Sequence, residues 1–137
     1  MPFTGPAEDR LAIRDLLDAY ADAVTQRDAA AWAATWAGDS EWTLLDFPEI
    51  GTIKGRDAIV AMWTEAMKGF PGLAFQAWPG SIEVEGERAV VRSYTSEVYD
   101  QAGMTKRDRG VYVDSCVRVD GRWLFESRAF RYLHRQG

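Results

Sequence analysis

The sequence predicts an α+β fold in which three N-terminal helices pack on one face of an antiparallel sheet. Three observations carry this expectation. Apolar residues recur at helical spacing in the first half, from Ala7 to about Thr25, Asp28 to about Trp36, and roughly Arg56 to Lys68. From "LAFQAW" onward the chain alternates in runs rich in Val, Tyr and Phe. Turn signals separate those runs, and helices first with strands later place the helices on one sheet face.

Each element has a local reason. Pro6 opens the first helix, with Glu8 and Asp9 in its first turn, where acids favour the helix dipole. Ile13, Leu16, Leu17, Tyr20 and Val24 share one sector at about 100° per residue, and Asp22 points the other way. Asp28 is placed to cap the second helix, with Trp32 and Trp36 one turn apart, and "AGDS" is expected to end it. "EWTLLDF" reads as a strand and "PEIG" as a turn. The third helix shows Ile59, Met62, Trp63 and Ala66 as its stripe, and "GFPG" stops it. The strands then run as "LAFQAW", "SIEVE", "RAVVRSYTSEVY", "RDRGVYVDSCVRV" and "RWLFESRAFRYL". "PG", "EGE", "DQAG" and "DGR" are the turns between them. Asp120-Gly121 suits the two central positions of a type I′ hairpin.

Composition narrows the function. The chain has 137 residues, 47% hydrophobic and 27% charged, which suits one globular domain. A net charge of −5 disfavours nucleic acid, whose binders need a basic face. The start, "MPFTGPAEDR", lacks the basic and apolar regions of a signal peptide, and no apolar run approaches the ~18 residues of a membrane span. The lone cysteine, Cys116, offers neither an intrachain disulfide nor a cysteine-rich metal site. The expectation is a cytoplasmic protein with no metal and no cofactor. Six Trp, five Tyr and six Phe exceed what a core needs as filler.

The stretches "RDAAAWAATWAGDSEW", "GTIKGRDAI" and "GVYVDSCVRVDGRWLFESR" resemble the SnoaL-like family of the nuclear transport factor 2-like superfamily. The resemblance spans about residues 8–133 of a single domain, 1–137. It implies a cone: a curved antiparallel sheet wrapped on the three helices, with an internal pocket. Scytalone dehydratase, ketosteroid isomerase, lindane dehydrochlorinase and polyketide cyclases are among the relatives it implies. It further implies a homodimer through the convex sheet face, and a small hydrophobic or aromatic ligand. In the dehydratases and the dehydrochlorinase, an Asp at the end of helix one orients a His base. Here Thr25 holds the Asp position, and "LAFQAWPG", with Phe75, Gln76 and Trp78, lacks the His. His134, near the end of the chain, is the sole histidine. The neutral side chains of Thr and Gln cannot take a proton near pH 7 as His does. The helix-one tyrosine of ketosteroid isomerase corresponds to Tyr20, and its base lies near Leu44, two residues before Asp46.

The candidate site follows. Tyr20 is an oxyanion donor, or else a core tyrosine with a structural partner. Asp46 is a general base if a pocket desolvates it, or else a strand-end acid in water. Trp42, Trp63 and Trp78 form pocket wall with Gln76 and Thr25, and imply an apolar, flat or cyclic ligand. Arg109 and Arg131 reach the pocket mouth, or else sit as solvated strand ends. Alternation places Val111, Val113, Val117 and Val119 in the core, and Tyr112, Asp114 and Arg118 on the outer face, joined there by Glu126 and Arg128. Cys116 reads as inert or interfacial. Two functions remain: cofactor-free dehydration, isomerisation or cyclisation, or a non-catalytic ligand-binding or scaffold module. A titratable group inside the pocket separates them.

Overall fold

The computed structural model describes residues 2–136. A short strand, β1 (Phe3–Thr4), precedes the long helix α1 (Ala7–Gln26). Pro6, at φ −59°, sets the helix entry, and Arg27, in the left-handed region at φ 56°, ends it. Ile13, Leu16, Leu17, Tyr20 and Val24 are all buried, as the stripe predicts. Asp28 caps α2 (Ala29–Ala33), its side chain accepting from the Ala31 N–H at 3.0 Å. Trp36 does not belong to that helix. The Phe125 N–H donates to the Thr35 carbonyl at 2.8 Å and draws the chain into the sheet. Trp36 therefore opens β2 (Trp36–Leu44), and "AGDS" is strand rather than helix stop. The i, i+4 spacing of the two tryptophans misleads because both bury completely from different elements, packing edge to face at 5.6 Å.

A second short strand, β3 (Thr52–Lys54), leads into α3 (Arg56–Ala66) and a single 3-10 turn at Met67–Gly69. The long strands β4 (Ala74–Glu85), β5 (Arg88–Gln101), β6 (Met104–Val119) and β7 (Arg122–Arg135) follow. The expected turn at Pro79-Gly80 is a bulge within β4: Pro79 pairs with Ser93 and Ser81 with Arg92, leaving Gly80 unpaired. Gly80 is required there, since a Cβ would meet the Tyr94 ring. Asp120 and Gly121 both have positive φ, 51° and 78°, as a type I′ turn demands.

The seven strands form one sheet in the order β1-β4-β5-β6-β7-β2-β3. The sheet is mixed, because β1 pairs parallel with β4 and β2 parallel with β7. The helices cover its concave face. The alternation expected for β6 is inverted. Tyr112, Asp114 and Cys116 face the helices and are buried, while Val113 and Val119 are 53% and 43% exposed; of the valines on the other face only Val111 is buried as expected, and Val117 is half-buried. Asp114 can lie inside because Arg128 lies inside with it. Its carboxylate accepts from Arg128 Nε at 2.8 Å and Nη2 at 3.0 Å. Two opposite charges neutralise one another, so parity counted by hydrophobicity points the wrong way. Glu126 stays outside and pairs with Arg88.

Candidate functional site

The core leaves a cavity of about 320 Å³ between the concave sheet face and the helices. Tyr20 and Val24 of α1 and Trp42 and Leu44 of β2 form one side. Met62, Trp63, Ala66 and Met67 form another, with Phe70 and Leu73 beyond them. Phe75, Glu97, Tyr112, Phe130, Tyr132 and Arg135 come from the four long strands, and Phe47 and Ile50 from the loop after β2. Its size falls within the range of small-molecule sites, about 300–1,000 Å³.

One end of the cavity rests on a buried polar unit. The Tyr20 and Tyr112 hydroxyls lie 3.1 Å apart. In such a pair one phenol donates to the other, and the acceptor keeps its own hydrogen for a third group. Behind them the Arg128 guanidinium lies 3.7 Å from the centre of the Tyr112 ring, 4.0 Å from Phe125 and 4.4 Å from Tyr20. Burial disfavours its charge, but Asp114 and the two phenols more than offset this and hold it protonated. Burial pushes both tyrosines up despite the nearby Arg128, so they stay neutral donors at ordinary pH. The Trp32 ring stacks on Trp63 at 4.5 Å and lies tilted against Tyr20 at 5.5 Å.

The cavity also holds a carboxylate. Glu97 lines it from β5, and its pKa is raised from 4.5 to about 7. Burial is the main cause and the neighbouring Asp108 carboxylate the second, with no cation acting against them. Asp108 pairs with Glu97 across β5 and β6 and is fully buried. It accepts from the Tyr99 hydroxyl and the Gln136 N–H, each at 2.9 Å.

Of the residues singled out in the sequence, Tyr20, Trp42 and Trp63 meet at this cavity. Asp46 does not. It is exposed, and its carboxylate accepts from the Tyr132 N–H at 2.6 Å, clasping the loop after β2 to β7. Gln76 and Trp78 lie on the convex face of β4, Trp78 being 48% exposed. Arg109 and Arg131 are exposed outside the cavity: Arg109 shares the outer face of β6 with Val113, and a bulge in β7 between Phe125 and Ser127 turns Arg131 away from the face of Phe125. Thr25 is structural: its hydroxyl accepts from the Phe75 N–H at 2.9 Å and tethers α1 to β4. His134 is exposed and lies outside the cavity lining. Cys116 is fully buried, and burial pushes its thiol up, which disfavours the nucleophilic thiolate. Glu97, Tyr112, Tyr132 and Arg135 were not anticipated. The signal for Glu97 was its parity: Val91, Ser93, Thr95, Glu97 and Tyr99 alternate onto one strand face.

A family model for the SnoaL-like domain matches residues 6–129, nearly the whole chain. The chain belongs to the SnoaL-like family. No curated protein sequence matches this SnoaL-like chain. Among solved structures it is similar to a scytalone-dehydratase-like protein of Novosphingobium aromaticivorans, with 24% identity and a TM-score of 0.82 over 94% of this chain and 87% of that one. It is similar to LinA, with 23% identity and a TM-score of 0.83 over 93% and 87%. A third is an NTF2-like protein with a cystatin-like fold, also from Novosphingobium aromaticivorans, with 26% identity and a TM-score of 0.75 over 95% and 85%. These likenesses establish the cone fold with its curved sheet on three helices. Among the described residues no helix is long and apolar enough to cross a membrane, and no group of His, Cys, Asp or Glu is arranged to hold a metal.

Proposed function

We propose that this SnoaL-like chain binds a small apolar, flat or cyclic molecule in the cavity and moves a proton on it without a cofactor, as a lyase, isomerase or cyclase does. The observation that carries this reading is the placement of Glu97: a carboxyl group in a largely apolar cavity wall, where burial pushes its pKa up to about 7. A group poised near the working pH both takes and returns a proton efficiently. The Tyr20–Tyr112 pair supplies the complementary half. Its free hydroxyl hydrogen is available to an oxygen on which negative charge develops, and such donors contribute about 2.7–4 kcal/mol to a transition state. Glu97 therefore takes the role first expected of Asp46.

A second reading, a non-catalytic binding module, is favoured by Thr25. The position that carries Asp in the dehydratases holds a neutral hydroxyl already engaged with backbone. A homodimer through the convex face remains part of the proposal, supported by exposed Trp78, Val90 and Val113 on that side.

The test is a thermal-shift screen of flat apolar compounds against wild type, Tyr20→Phe and Glu97→Gln. Ligand at about 100 times its Kd adds roughly 2.7 kcal/mol, several degrees for a domain of this size. Compounds that bind are then incubated with the protein and followed by NMR. Product formed by wild type and lost in Glu97→Gln supports the catalytic reading. If every bound compound is returned unchanged, the binding module replaces it.

A further inference from the structure

The cavity wall contains a carboxyl group, Glu97, that no side chain pairs with among the described residues. Glu97 and Asp108 rise from the same sheet face as a cross-strand pair. Asp108 is satisfied by hydrogen bonds from Tyr99 and Gln136, and neither carboxylate forms an ion pair among the described residues. Arg135, opposite Asp108 on β7, is the cation in the lining. Its guanidinium instead covers the rings of Phe47 at 5.3 Å and Tyr132 at 4.9 Å. The other titratable groups around Glu97 are the phenols of Tyr99 on its own strand, Tyr112 on β6 and Tyr132 on β7, all neutral at ordinary pH.

The remaining wall is largely aromatic, and ring faces attract cations. The chain houses its own buried cation in this way. Arg128 sits between the faces of Tyr20, Tyr112 and Phe125 with the Asp114 carboxylate at its edge. Near Glu97 the same two ingredients, ring faces and a carboxylate, recur around open space. An anionic ligand would meet Glu97 as a like charge. A neutral ligand would leave Glu97 protonated and would gain nothing from its charged form.

We infer that the cavity takes an apolar molecule bearing a protonated amine, with the nitrogen on Glu97 and the hydrocarbon body among Trp42, Trp63 and Phe130. This rests on the reading of the cavity as the binding site and names its ligand class. The ammonium gives its N–H hydrogens to the Glu97 carboxylate. Where Glu97 carries a proton beforehand, that proton leaves to solvent as the cation binds.

Calorimetric titration with 2-phenylethylamine and 2-naphthylethylamine, against the alcohols of the same skeleton, tests this at pH 6 and pH 8. The amines stay cationic at both values. The carboxylate fraction of a group titrating near 7 rises about tenfold between them, so amine affinity should rise about tenfold. The alcohols should show no such gain. Glu97→Gln should bring amine affinity down to that of the alcohol and abolish its pH dependence, while retained alcohol binding shows that the variant is folded. Amines that bind no tighter than the alcohols at pH 8, or that keep their pH dependence in Glu97→Gln, overturn the inference. If the alcohols bind nonetheless, the cavity reading survives without it. If neither series binds, both fall.

Discussion

Replacing Asp114 with Asn tests the buried ion pair on which the phenol pair rests. The change is nearly isosteric, so it opens no cavity, yet it leaves the Arg128 guanidinium buried without its counter-charge. Both side chains are essentially inaccessible, 1% for Arg128 and 0% for Asp114, so water cannot replace the lost partner. Breaking one half of such a pair costs about 3–5 kcal/mol. At roughly 2.1 cal/mol/K of unfolding entropy per residue, 137 residues give about 0.29 kcal/mol/K, so Tm should fall by about 10–17 °C. Urea denaturation followed by far-UV circular dichroism, with a thermal melt in parallel, measures the loss. The double variant Asp114→Leu/Arg128→Met should lie closer to wild type than Asp114→Asn does, because it removes both charges and fills the space. A loss below about 1 kcal/mol for Asp114→Asn would refute the reasoning, since that is the size of an exposed pair.

Glu97→Gln should change the pH dependence of stability. Folding raises the Glu97 pKa from 4.5 to about 7, so the folded chain holds the proton more tightly than the unfolded chain. The stabilisation is full below about pH 4.5 and is lost as pH rises to 7, a change of about 3 kcal/mol. Relative to wild type, Glu97→Gln should therefore be about 3 kcal/mol better off at pH 8 than at pH 4, by denaturant titration; a difference that stays flat with pH contradicts this. Gly110→Ala should destabilise by roughly 1–3 kcal/mol, as overpacking does. A Cβ there overlaps the Phe130 ring and crowds Thr95 Oγ1, so Phe130 must move into the cavity. Ligand affinity should drop with stability, and an unchanged affinity would place the ligand away from Phe130. Tyr20→Phe removes the phenol–phenol bond and should cost about 1 kcal/mol, measured by thermal melt.

The fold was readable because its rules are local. The stripe from Ile13 to Val24, the Asp28 cap and the Asp120-Gly121 turn each depend on residues a few positions apart. What depended on distant partners was not readable. Trp36 joins β2 because Thr35 meets Phe125, far away in the chain. The valines of β6 point its core face the wrong way, because Arg128 makes Asp114 a core residue. The site divides in the same way. Tyr20 stood out as a phenol on an apolar helical stripe, whereas Glu97 lay in a strand whose inward parity is visible but whose setting beside Asp108 emerges only from β5–β6 pairing. Asp46 looked equally suitable by residue type, and one backbone bond to Tyr132 takes it out of the cavity.

The most direct measurement is the titration of Glu97 itself, by ¹³C NMR of its carboxyl carbon in the ligand-free protein, with Glu97→Gln to assign the signal. A midpoint near 7 is predicted, because burial and Asp108 both oppose its charge. A midpoint near the ordinary 4.5 would mean that water or a cation reaches the group, and would contradict a proton-transfer site in this cavity.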